Sequence, residues 1–142
     1  MSAGTLIAGA ALAKLVYELV CNKDTAAIKS DKIFVDFLVE NPQQDYRTLK
    51  GMMTRRVKKI IDGKRRFKIG KTGDPEGRLT KYSDYRAMYL LCRSSDAGTI
   101  EVLENYLNNK FYAFENCDNQ KGGSAGMMTN KHGEYFLYLV TE

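Results

Sequence analysis

One histidine, three cysteines, two prolines and no tryptophan in 142 residues narrow the chemistry open to this chain. With His132 as the sole histidine, a zinc finger or a His-built metal cage lacks its ligands. Ser/His/Asp and Cys/His catalysis would both depend on that one imidazole, which reads as a solvated loop residue. Cys21, Cys92 and Cys117 are odd in number, far apart and without paired spacing, which predicts free thiols in a reducing, intracellular compartment, cytoplasm or nucleus. No long uninterrupted apolar run is present. The most apolar stretch, Gly4 to Cys21, carries Lys14 and Glu18 and has no basic residue ahead of it, so it reads neither as a signal peptide nor as a membrane span. Leu12, Leu15, Val16 and Leu19 recur at helical spacing instead. They predict an amphipathic helix over Thr5–Val20 whose alanine-rich face could support a homo-oligomer.

What is present is an ordinary globular composition, 44% hydrophobic and 27% charged, at a length that fits about one domain. The net charge is +5 and the pI about 9.1, which favours a polyanionic partner. That charge is unevenly placed: thirteen Lys or Arg against three acids lie between Tyr46 and Lys81, and nine against fourteen in the rest. A single segment thus holds all the excess, and Arg55, Arg56, Lys58, Lys59, Lys64, Arg65 and Arg66 are its candidate phosphate contacts. The expected partner is nucleic acid, DNA ahead of RNA; the alternative is a solvated helix face.

Hydrophobic patterning predicts the elements. Lys32–Val39 is short, apolar and rich in aromatic and β-branched residues, which fits a buried strand or a helical turn and ends at Asn41-Pro42. Leu49, Met53, Val57 and Ile60 or Ile61 form a helical stripe over Asp45–Ile61, with Arg55, Arg56, Lys58 and Lys59 outside it. Asp62-Gly63 is a turn, and Lys58–Ile61 could instead be a strand in a hairpin with Arg65–Ile69. A strand ending in Gly70, a helix over Pro75–Tyr82 and a strand over Arg86–Cys92 follow. Ser94, Ser95 and Asp96 are candidate caps of a long helix burying Ile100, Leu103, Leu107 and Phe111. A loop over Cys117–His132 and a strand over Tyr135–Val140 close the chain.

The most informative block is Phe67-Lys68-Ile69-Gly70-Lys71-Thr72, followed by Gly73-Asp74-Pro75-Glu76-Gly77-Arg78-Leu79. Its Gly and Lys spacing is not that of a Walker A loop. It resembles the second half of the GIY-YIG nuclease signature, where a strand ending in an aromatic, an aliphatic and Gly precedes a helix bearing the catalytic Arg. Val102-Leu103-Glu104-Asn105-Tyr106-Leu107-Asn108, with Asn116 beyond it, resembles the metal-binding helix of that family. Gly133-Glu134-Tyr135-Phe136 resembles the closing strand of its branch common in phages and large DNA viruses. Together these cover roughly Ile61 to Val140.

The resemblance implies an α/β (α+β) domain over 58–142, a small, mainly antiparallel sheet flanked by helices, preceded by a partly basic helical extension over 1–57. It implies a divalent-metal-dependent DNA endonuclease in which Arg78 stabilises the phosphate, Glu104 holds Mg²⁺ or Mn²⁺, and Lys71 contacts phosphate or assists proton transfer. The position of the second family tyrosine holds Lys68, as is common in the viral-type branch, and no Gly-Ile-Tyr stands upstream. Neither candidate first strand, Lys58–Ile61 or Ile33–Val39, has a tyrosine; Tyr46, Tyr82 and Tyr85 are the possible substitutes. Two further readings stand beside the enzyme. One is a nuclease-derived module that binds nucleic acid without turnover, the other a structural or oligomeric protein of viral type.

Overall fold

A computed structural model describes residue 28, residues 30–120 and residues 128–142; the expected Thr5–Val20 helix and Cys21 lie outside the described residues. The chain forms β1 (Ile33–Phe34), β2 (Val39–Glu40), α1 (Tyr46–Ile61), β3 (Phe67–Thr72), α2 (Pro75–Leu79), β4 (Ala87–Ser94), α3 (Ala97–Phe111) and β5 (Tyr135–Thr141). The expected α+β architecture is present. Strand β5 lies in the middle of the sheet, antiparallel to β3 on one side and β4 on the other, while β1 and β2 add short parallel pairings to β4.

Each long helix starts where a side chain satisfies an orphan amide. Asp45 accepts from the Thr48 amide at 2.7 Å to open α1, and Asp96 accepts from Gly98 at 3.0 Å to open α3. The α1 helix continues through Ile61, so Lys58–Ile61 is helical and not a hairpin strand. Val57, Ile60 and Ile61 extend the buried stripe begun by Leu49 and Met53, and burying that stripe outweighs any local hairpin. This helix crosses the 57/58 boundary expected from sequence, and its stripe packs into the same core as β3, β5 and α3. The Lys32–Val39 stretch resolves into β1 and β2 rather than one continuous strand.

Strand alternation sorts the core into two layers. On one face Phe67, Ile69, Leu137 and Leu139 meet α1 and α3. On the other, Phe136, Tyr138, Val140, Met88 and Leu90 meet Ile28, Val35 and Tyr85, with Leu79 and Tyr82 packed against them. An irregularity between Leu90 and Cys92 places Leu91 and Cys92 together in the helical layer. The outer edge of β3 is covered by the segment after α3: the Phe67 amide donates to the Asn116 carbonyl, and Asn119 exchanges two side-chain hydrogen bonds with the Ile69 backbone at 2.7 and 2.8 Å. Asn116 therefore works as an edge cap for the sheet. Among the described residues no helix is long and apolar enough to cross a membrane.

Candidate phosphate site at the end of the β3 strand

The site is built from the chain reversal that follows β3. Thr72 ends the strand, its hydroxyl accepting from the Asp74 amide at 2.9 Å, and Asp74 then accepts from the Gly77 amide at 3.2 Å to open α2. The same Asp74 carboxylate faces Lys131 Nζ at 3.5 Å and His132 Nε2 at 3.8 Å, so one acid both starts the helix and draws in the loop before β5. His132 is thus half-buried against Asp74 and not simply solvated. The loop comes so close that a Cβ on Gly73 would stand 2.0 Å from the Thr129 carbonyl oxygen, which only glycine avoids.

These elements enclose an open pocket of about 360 Å³ lined by Thr72, Asp74, Gly77, Arg78, Lys81, Thr129 and Lys131. Three cations against one acid, which already faces Lys131 and His132, leave it electropositive. Thr129 and Thr72 also line it, the Thr72 hydroxyl being engaged with the Asp74 backbone, to whose carbonyl it donates at 3.2 Å. Arg78 is half-buried rather than exposed, which holds a guanidinium ready for a phosphate without a full loss of side-chain freedom.

Beside the pocket lies a tyrosine pair. The Tyr82 and Tyr138 hydroxyls are 2.6 Å apart. Lys68 Nζ sits 5.8 Å from the Tyr82 ring centroid. The Tyr138 ring lies across Gly70, where a Cβ would come within 2.3 Å of its hydroxyl oxygen. Burial pushes the Tyr138 phenol well above its ordinary value, the Tyr82 charge and hydrogen bond add to this, and the Arg78 charge opposes it. Tyr138 is a neutral phenol at any physiological pH, able to position Tyr82 but not to act as a base.

Lys71 and Glu104 sit elsewhere. Alternation along β3 points Lys71 to the helical layer, where its Nζ stands 3.7 Å from Glu104 Oε1 of α3. Arg78 lies on α2, whose Leu79 packs on the opposite face, while the Arg78 and Glu104 charges both act on the Tyr138 phenol, Arg78 lowering and Glu104 raising its pKa. The resemblance expects Mg²⁺ or Mn²⁺ at Glu104. A hard cation held by one carboxylate needs open positions for several waters. The Glu104 residue is only 2% exposed and already faces an ammonium, and among the described residues no three His, Cys, Asp or Glu cluster as ligands. The residues as arranged do not fit that ion.

The basic segment also divides. Arg55, Arg56 and Lys59 line a pocket with Phe37 and Met52, and Lys58 is exposed on the same helix. Arg66 is held by Asp84 at 2.6 Å, Glu142 at 3.0 Å and Asp118 at 3.2 Å, its guanidinium 4.3 Å from the Tyr85 ring centroid. Arg65 faces Glu142 at 3.5 Å, and the Lys64 carbonyl accepts from Asn116. Among these expected phosphate contacts, Arg66 is thus ion-paired where it fastens the ends of β3 and β5. Glu134 of the closing motif is likewise structural in its contacts: it pairs with buried Arg93 at 3.0 Å, and burial outweighs that attraction and holds its carboxyl above the usual range.

Of the tyrosine substitutes, Tyr82 reaches the Arg78 neighbourhood. Tyr85 instead donates to Asp118, and Tyr46 lies under Lys50 at 4.7 Å. Sequence reasoning missed Lys81, Lys131, Thr129 and Tyr138; Thr129 and Lys131 follow a loop and carry no local motif. No protein-family model, no curated protein and no solved structure matches this chain.

Proposed function

We propose that this protein is a nucleic-acid-binding module that seats a backbone phosphate, of DNA in preference to RNA, in the Arg78 pocket. One observation carries the reading: Arg78, Lys81 and Lys131 line one open pocket with Thr129, with a single acid among them. Cations give phosphate affinity without base identity. The resemblance to the GIY-YIG signature supports the same choice of Arg78. Binding without turnover is favoured by the burial of Glu104 against Lys71.

The endonuclease is the second reading, favoured by the Tyr82–Tyr138 pair beside Arg78. There Arg78 would neutralise charge growing on the phosphoryl oxygens, and Tyr82 would orient the attacking water while its proton bonds are fixed by Tyr138.

Binding of a labelled 20-base-pair duplex, followed by anisotropy from low to moderate salt, tests the first reading. Affinity should fall steeply with salt, and Arg78→Ala, Lys81→Ala and Lys131→Ala should each reduce the log–log slope by about one unit. Unchanged affinity and slope in all three would refute it. Plasmid nicking with Mg²⁺ or Mn²⁺ that stops with a chelator and is lost in Arg78→Ala would move the protein to the second reading.

A further inference from the structure

A second cationic pocket lies against α1. Phe37, Met52, Arg55, Arg56 and Lys59 enclose about 370 Å³, with three cations and no acid in the lining. It is shaped by the fold rather than by chance exposure. Arg56 donates to the Phe37 carbonyl, tying the β1–β2 connection to α1. The Phe37 ring packs edge-on to Tyr89 at 6.3 Å, and Lys59 Nζ lies 5.8 Å from the Phe37 centroid. Arg55 and Lys59 remain exposed, so two charges are available while Arg56 keeps the wall in place.

Topology separates this pocket from the Arg78 pocket. The sheet runs β1-β4-β5-β3, so one pocket adjoins the β1–β2 edge and the other the β3 edge, about 14 Å apart at roughly 4.8 Å per strand spacing. They also belong to opposite layers: α1 packs with α3 on one face, and α2 packs through Leu79 on the other. The sheet thus lies between the helices that carry the two pockets, which places their cations on opposite faces.

We infer that the protein has two independent phosphate-binding faces and that one molecule holds two separate segments of nucleic acid, acting as a bridge. The inference rests on the proposed nucleic-acid reading and adds to it the number and placement of the bound strands. It also accounts for a basic segment that is rich in charge yet folds onto two sides of the sheet.

The test uses the full chain, one 20-base-pair duplex on beads and a second, labelled duplex in solution. Wild-type protein loaded on the beads should capture the labelled duplex. The double variants Arg55→Ala/Lys59→Ala and Lys81→Ala/Lys131→Ala alter exposed side chains, so each should keep the wild-type circular dichroism and Tm, and each should bind a single duplex through its remaining face with a smaller salt slope than the wild type. Capture should fall at least about tenfold in either, as expected when two phosphate contacts on one face are removed. A mixture of the two variants should not restore it, because each monomer still lacks one face. Single-duplex binding that saturates without capture would overturn the inference and leave the proposed function standing. Capture that survives either double variant, or that the mixture restores, would assign bridging to self-association and overturn it too. Failure of the wild type to bind any duplex would remove both readings together.

Discussion

Gly70 is the residue whose replacement tests the site's construction most directly. An ideal Cβ at this position stands 2.3 Å from the Tyr138 hydroxyl oxygen, 2.4 Å from its Cζ and 2.9 Å from its Cε1. Ordinary carbon contacts are near 3.5–4.0 Å, so the ring must move by about 1 Å or more. Tyr138 is 2% exposed between Val140 and Phe136, which are fully buried, and has little room to yield. Overpacking of this kind costs about 1–3 kcal/mol, and losing the bond to Tyr82 adds about 1 kcal/mol. Alanine returns roughly 0.5–1 kcal/mol because glycine is a poor strand residue. Gly70→Ala should therefore destabilise by about 2–3 kcal/mol, a fall in Tm of roughly 6–12 °C at this size. Urea unfolding followed by tyrosine fluorescence measures it, and Tyr138→Leu supplies the control because leucine lacks all three colliding atoms. In the Tyr138→Leu background the Gly70→Ala cost should vanish, a coupling of about 2 kcal/mol. An equal loss in both backgrounds would show that the glycine is needed for its backbone and not as the seat of the tyrosine.

Other expectations follow from the buried charges and thiols. Arg93→Met leaves the Glu134 carboxylate without its cation at 3.0 Å and should cost about 3 kcal/mol at pH 7, the low end for a broken buried pair. Because the native Glu134 carboxyl titrates above its ordinary 4.5, the folded state binds the proton more tightly than the unfolded one. Its contribution to stability is full below pH 4.5 and declines as pH rises through the native value, so Glu134→Gln should remove that decline and make stability rise more steeply with pH just above 4.5. A profile whose slope does not change in that variant would refute this. The Cys92 thiol, fully buried and pushed up to about 12, should resist alkylation at pH 8 in the folded protein and react on unfolding, as mass spectrometry of the labelled peptides would show. Lys71→Met should destabilise by leaving Glu104 buried beside an apolar group, and Lys71→Met/Glu104→Leu should recover most of the loss, whereas a functional metal ligand would show the double variant losing an Mg²⁺-dependent rise in Tm.

Much of the fold is legible in local pattern. The stripe Leu49, Met53, Val57 and Ile60 marks α1, Ile100, Leu103, Leu107 and Phe111 mark α3, and β-branched and aromatic runs mark β3 and β5, because burial imposes the 3.6 and 2.0 periods on each element alone. Arg78 shortly after the β3 strand is visible for the same reason: strand, turn and helix cap are neighbours in sequence. What the tertiary structure decided is which charges share a surface. Asp74 and Lys131, 57 positions apart, leave no trace in spacing, and only the central position of β5 brings Lys131, Thr129 and Tyr138 to Arg78. Lys68 and Lys71, three residues apart, part company because a strand turns alternate side chains to opposite faces. The basic run from Tyr46 to Lys81 divides because Arg66 finds Asp84, Asp118 and Glu142, partners far along the chain. Local pattern accounts for the long helices, the main strands and the total charge, while packing settled Lys58–Ile61 and Lys32–Val39 and the sheet order set where the charge could act, since neighbours across a sheet follow topology and not distance along the chain.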